Sequence, residues 1–166
     1  SDNGPLSSID LSKNTELLDL TLKYQSLQSI DLSKNIKLKT LDLSGNPISS
    51  VDLSKNTDLE KLIIEWGDIN EYENRNTKMN SSYYANSNGL TDIDLSQNQK
   101  LNYLNLSGNR LTGLDVSNNF ELTNTSGTYG GYFNTIWNMF LGCVIMTQDM
   151  IDNVPFSGWI SYASTD

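Results

Sequence analysis

The sequence predicts a solenoid that is mainly β: short parallel strands on both faces, little or no helix, and a C-terminal cap. Three observations predict it. Leu6, Leu27, Ile48, Ile69, Leu90 and Leu111 each stand 21 residues apart. Counting +3, +5, +11, +14 and +16 from the first, second, third and fifth of these finds an aliphatic side chain every time. That makes 24 filled sites in four units of six, in a chain that is 37% hydrophobic. Within each half of a unit the last two apolar sites are two residues apart, which is strand spacing and not helix spacing. A period near twenty residues marks a repeat architecture, and 21 residues cannot hold two strands, two turns and a helix.

Each unit is therefore one coil. Unit one supplies Ile9, Leu11, Leu17, Leu20 and Leu22. Unit two supplies Ile30, Leu32, Leu38, Leu41 and Leu43. Unit three has Val51, Leu53, Leu59, Leu62 and Ile64; unit five has Ile93, Leu95, Leu101, Leu104 and Leu106. Turn residues follow the strands, as in Ser44-Gly45-Asn46-Pro47, Ser107-Gly108-Asn109 and Lys34-Asn35. The first half of a unit reads L-x-x-I-D-L-S-x-N and the second reads L-x-x-L-x-L-x-x-N. The second half, with the next aliphatic residue, is the leucine-rich-repeat signature, as in Leu38 to Ile48 and Leu101 to Leu111. Together the halves resemble the short nested class of bacterial leucine-rich repeats. The resemblance covers about residues 6 to 124. It implies a rigid binding scaffold in an exported protein, secreted or on the cell surface. On this reading residues 1–124 form a solenoid of about six units, and residues 125–166 form a capping segment.

Stacked coils bring equivalent residues to about 4.8 Å, so no single repeat buries its own core. Asn14, Asn35, Asn56, Asn98 and Asn119 form one amide ladder; Asn46, Asn88 and Asn109 form another. Such amides can satisfy backbone groups at turns. Asp10, Asp31, Asp52, Asp94 and Asp115 form an acidic ladder beside outward Ser12, Ser33, Ser54, Ser96 and Ser117. Stacked carboxylates can bind calcium. The alternative is local bonding of Asp and Ser to backbone and water.

Unit four, residues 69 to 89, keeps its length and loses its pattern: Ile69, Tyr72, Asn74, Asn80, Tyr83 and Ala85 hold its template sites. Amides there would need partners in a dry core. The expectation is a loop over about residues 70 to 80, with Tyr83 to Ala85 rejoining the sheet. The loop is either a decayed repeat or a recognition element. Aromatic side chains gather near it: Trp66, Tyr72, Tyr84 and, one coil on, Tyr103. The resemblance implies that the x positions of L-x-x-L-x-L face outward on a concave sheet. Those positions add Lys39, Thr40, Asp42, Glu60, Lys61 and Ile63 as candidate partner-binding residues. A Tyr-rich strip of mixed charge suits protein recognition. Tyr and Trp also stack on sugar rings. Unit six fails at Thr125 and Gly127. Gly142 to Thr147 then reads as a final strand, with Phe156 and Trp159 as a lid over the end of the stack.

Composition removes other functions. With no histidine and one cysteine, the usual Ser-His-Asp, Cys-His and HExxH chemistries and an internal disulfide are absent. A net charge of -9 argues against nucleic acid. The longest apolar run, around Ile136 to Met146, is too short to span a bilayer. A start at Ser1-Asp2-Asn3-Gly4 reads as a mature or trimmed chain. The expectation is a non-catalytic binding protein with no cofactor and no metal, and with a protein partner placed first. The alternatives are a carbohydrate- or calcium-binding module, or a spacer in a larger surface protein.

Overall fold

The computed structural model describes residues 4–66, 89–123, 132–135, 138, 141–153 and the backbone of 162–164. The 21-residue period becomes a parallel sheet. Strands β1 (Asp19–Thr21), β2 (Thr40–Asp42) and β3 (Lys61–Ile63) come from consecutive coils. They pair in strict register: Asp19 with Thr40, then Thr40 with Lys61. Strands β4 (Tyr103–Asn105) and β6 (Tyr132–Asn134) complete the order β1-β2-β3-β4-β6. Leu20, Leu41, Leu62, Leu104 and Phe133 fill the central inward site of these strands, and all are buried. Each such side chain contributes roughly 1.5 to 3 kcal/mol before the entropy of ordering the chain.

The opposite face differs along the stack. Strands β5 (Gly113–Asp115), β7 (Cys143–Met146) and β8 (Tyr162–Ser164) form a three-stranded parallel sheet. The corresponding I-D-L segments of the earlier coils stack but form no strand among the described residues. Helical structure is limited there to a 3-10 turn (Phe120–Thr123) and one short helix, α1 (Gln148–Asn153). The architecture is a leucine-rich-repeat solenoid.

Residues 67–88 lie outside the described residues, and with them Tyr72, Tyr84 and the anticipated loop. What flanks them is decisive for the sheet. Strand β3 pairs directly with β4, Lys61 opposite Tyr103 and Leu62 opposite Leu104. Among the described residues no strand lies between them. Whole coils follow the same jump: Asn98 Nδ2 donates to the Asn56 carbonyl 42 residues back, and Thr91 N donates to the Ser49 carbonyl. The coil that begins at Gly89 thus stacks directly on the coil that ends at Trp66.

The end of the stack was also hidden by spacing. Phe133 stands 29 residues after Leu104, not 21, yet pairs with it in register. Strand β7 lies within the predicted Gly142–Thr147 segment. Phe156 and Trp159 lie outside the described residues.

Side-chain ladders tie coil to coil. Asn35, Asn56, Asn98 and Asn119 are fully buried. Each Nδ2 donates to two carbonyls of the preceding coil, as Asn56 does to Leu32 at 3.2 Å and Asn35 at 2.9 Å. Their Oδ1 atoms accept nothing. In the second ladder both ends of the amide are used. Asn109 Nδ2 donates to the Ile64 and Leu106 carbonyls, and its Oδ1 accepts from Leu90 N. Asn138 repeats this arrangement in the next coil, bonded to Leu106, Thr135 and Leu111. The turn before this ladder needs a left-handed residue. Gly108 supplies it at φ 73°, where a Cβ would overlap the Trp66 carbonyl oxygen. At the equivalent place in the first coil Tyr24 itself adopts φ 53°, a strained choice for a residue with a side chain.

Candidate functional site

The outward positions of the five-stranded sheet form two rows. One row runs Asp19, Thr40, Lys61, Tyr103, Tyr132; the other runs Thr21, Asp42, Ile63, Asn105, Asn134. Strict register makes neighbours of residues far apart in sequence. Lys61 Nζ lies 4.5 Å from the centre of the Tyr103 ring. The Tyr132 ring stacks on Tyr103 at 4.3 Å, only 13° from parallel. Because β3 and β6 flank β4 on opposite sides, Tyr103 is sandwiched between a cation and a ring. Burial pushes the Tyr103 hydroxyl above its ordinary pKa, and the neighbouring Tyr132 adds to the effect.

The remaining candidates fall beside this column. Lys39 pairs with Glu60 at 3.0 Å, one coil apart, and that bond raises the lysine pKa. Asp42 is buried. It accepts from Ser44 N and from Ser44 Oγ at 2.6 Å, and pairs with Lys23 Nζ at 2.8 Å. Thr40 and Ile63 are half-buried on the same face. Trp66 is half-buried at the end of its coil. The structure thus brings Lys39, Thr40, Asp42, Glu60, Lys61, Ile63 and Tyr103 onto one surface. Tyr72 and Tyr84 are outside the described residues.

Sequence reasoning missed Lys23, Glu65 and Tyr132. Lys23 and Glu65 occupy one column, two residues past the x positions, and were legible from the 21-residue spacing. Glu65 is half-buried and accepts from Asn105 Nδ2 at 3.2 Å; desolvation raises its pKa, against the opposing bonds from Ser107 and Asn105. Tyr132 had no such signal, because the spacing to β6 lengthens.

The acidic ladder does something local. Asp10, Asp31, Asp52, Asp94 and Asp115 each accept from the N–H of the serine two residues on, at 2.9 Å. This bond lowers the carboxyl pKa of the first four. Among the described residues no group of three or more His, Cys, Asp or Glu side chains is placed to hold a metal ion. No described helix is long and apolar enough to cross a membrane.

A leucine-rich-repeat family model matches residues 34–55 and 97–118. Among solved structures, the chain is similar to the functional domain of InlJ from Listeria monocytogenes, which includes a cysteine ladder. The identity is 24% and the TM-score 0.49, over 88% of this chain and 33% of that one. The chain thus spans about a third of the length of that structure. With one cysteine it has no cysteine ladder of its own. No curated protein matches the chain. The two matched repeats lie within the in-register stack, so the fold is that of a leucine-rich-repeat solenoid.

Proposed function

We propose that this leucine-rich-repeat protein is a non-catalytic binding module that recognises a protein through the outward face of its five-stranded sheet. The observation that carries the reading is the Lys61–Tyr103–Tyr132 column, set beside the Lys39–Glu60 and Lys23–Asp42 pairs. Aromatic anchors with fixed geometry lose little entropy on binding. The surrounding charges are already paired, so the surface is pre-organised. Export to the cell surface or exterior belongs to the proposal, and it rests on the family resemblance.

A carbohydrate reading is weaker for a geometric reason. Sugars stack on ring faces, and in this column both faces of Tyr103 are occupied by neighbours, which leaves one face of Tyr132 alone. A calcium reading is weakened by the local use of each ladder aspartate. The spacer reading has no observation of its own in the described residues.

Photo-cross-linking tests the proposal. A benzophenone amino acid is placed at Lys39, Thr40 or Tyr103 on the sheet, and at Ser33 or Ser54 on the serine face. Exposed in the producing organism, the sheet positions should yield a discrete protein adduct and the serine positions none. Identical adducts from both faces, or none from the sheet, would remove this site.

A further inference from the structure

We infer that the outward face of Tyr132 is a socket for an arginine side chain of a basic protein partner; this deepens the reading above and rests on it. The column Lys61, Tyr103, Tyr132 has one unfinished end. Tyr103 has Lys61 on one side and Tyr132 on the other. Tyr132 has Tyr103 on one side, and among the described residues no ring or cation on the other. It is 39% exposed although it lies on a sheet strand. Its hydroxyl accepts from Asn134 Nδ2 at 3.2 Å, which steadies the ring against the strand.

Charge selects the occupant. The three lysines of the strip already have partners: Lys23 on Asp42, Lys39 on Glu60, Lys61 on the Tyr103 ring. The same strip carries four carboxylates, Asp19, Asp42, Glu60 and Glu65, against those three lysines. Glu65 accepts from the Asn105 amide and feels Lys23 at longer range, Asp19 feels Lys39 likewise, and neither makes an ion pair among the described residues. The whole chain carries a net charge of -9. The strip therefore complements a cation, and a ring face is attractive to one. Tyr103 and Tyr132 are near-parallel planes, and a planar guanidinium continues such a stack where a compact ammonium does not. Tyr132 would thus act as an anchor for one residue of the partner, with the rest of the sheet supplying area.

The probe is the acetylated, amidated tripeptide Gly-Arg-Gly, with citrulline and lysine versions as controls, titrated at about 0.15 M salt to screen the net charge. The readout is the ring proton resonances of Tyr132 in ring-labelled protein. The arginine peptide should shift them saturably. The uncharged citrulline peptide should bind at least about five-fold more weakly. Tyr132→Phe should keep the response, read on the phenylalanine ring. Tyr132→Ala should lose the matching shift of the arginine side-chain protons. Equal binding of the arginine and citrulline peptides overturns the inference. So does an arginine response unchanged in Tyr132→Ala. Since the peptides need no natural partner, failure here with cross-linking from Thr40 intact removes the arginine socket alone. A positive titration with no cross-link from the sheet removes the protein-recognition reading instead.

Discussion

Asn98 and Asp94 sit four residues apart in one coil and hold different things. Asn98 is buried and donates to the Leu53 and Asn56 carbonyls of the coil before it. Asp94 is exposed and accepts from Ser96 N, two residues on. Asn98→Ala should therefore lower stability by about 1 to 3 kcal/mol, since two buried hydrogen bonds go. Asn98→Asp should cost more, because a buried carboxylate would face two carbonyl oxygens. Asp94→Ala should barely move the urea midpoint. If denaturation ranked Asp94→Ala as the most damaging of the three, the ladder assignments would be reversed. Glu65 gives the pH counterpart. Its folded pKa is raised chiefly by desolvation, so the folded state binds its proton more tightly than the unfolded state does. Stability from this group is greatest at low pH and is lost as pH rises through the folded pKa. Glu65→Gln should stabilise the protein at neutral pH, and the gain should fade as pH falls below the ordinary value of 4.5. Thermal melts of both proteins at pH 7 and pH 4 check the sign; a gain that grew at low pH would refute it.

At the scale of the coil, the informative feature is the direct pairing of β3 with β4 across 42 residues. Residues 67–87 number one repeat, and their removal would join Trp66 to Asn88-Gly89-Leu90. That junction matches Gly45-Asn46-Pro47-Ile48 and Gly108-Asn109-Arg110-Leu111 position for position. Deleting 67–87 should leave a cooperative solenoid with a melting temperature near that of the full chain. A deletion protein with no cooperative transition would mean that the stack depends on this segment. The sequence held a sign of this pairing. The column Glu16, Lys37, Asp58, Lys100, Glu121 alternates in sign only if Met79 is left out, and Lys100 does pair with Asp58 across 42 residues. The regular coils were legible because a 21-residue period of aliphatic residues has only one way to bury them all. Strand β6 was not, because eight extra residues break the period and Phe133 replaces the expected leucine. The Lys61–Tyr103 contact was concealed for a related reason: in the unspliced register a whole unit separates them.

The molecule as a whole is one-dimensional, with each coil bonded chiefly to its neighbours, so its stability is close to a sum over interfaces. That arrangement has a mechanical reading. Under tension applied at the two ends, coils should peel away in sequence, each freeing the chain between one strand and the next. For an ordinary coil that is 21 residues, a gain in extended length of about 70 Å. Between β3 and β4 it is 42 residues, and so about 140 Å. Single-molecule stretching should record equal steps for the coils 21 residues apart, one step of double length between β3 and β4, and one of about 100 Å for the 29 residues between β4 and β6; a series without the double step would refute this reading. The 42-residue interval thus acts as a reserve of length: it adds reach when the protein is pulled, while β3 and β4 stay directly paired at rest.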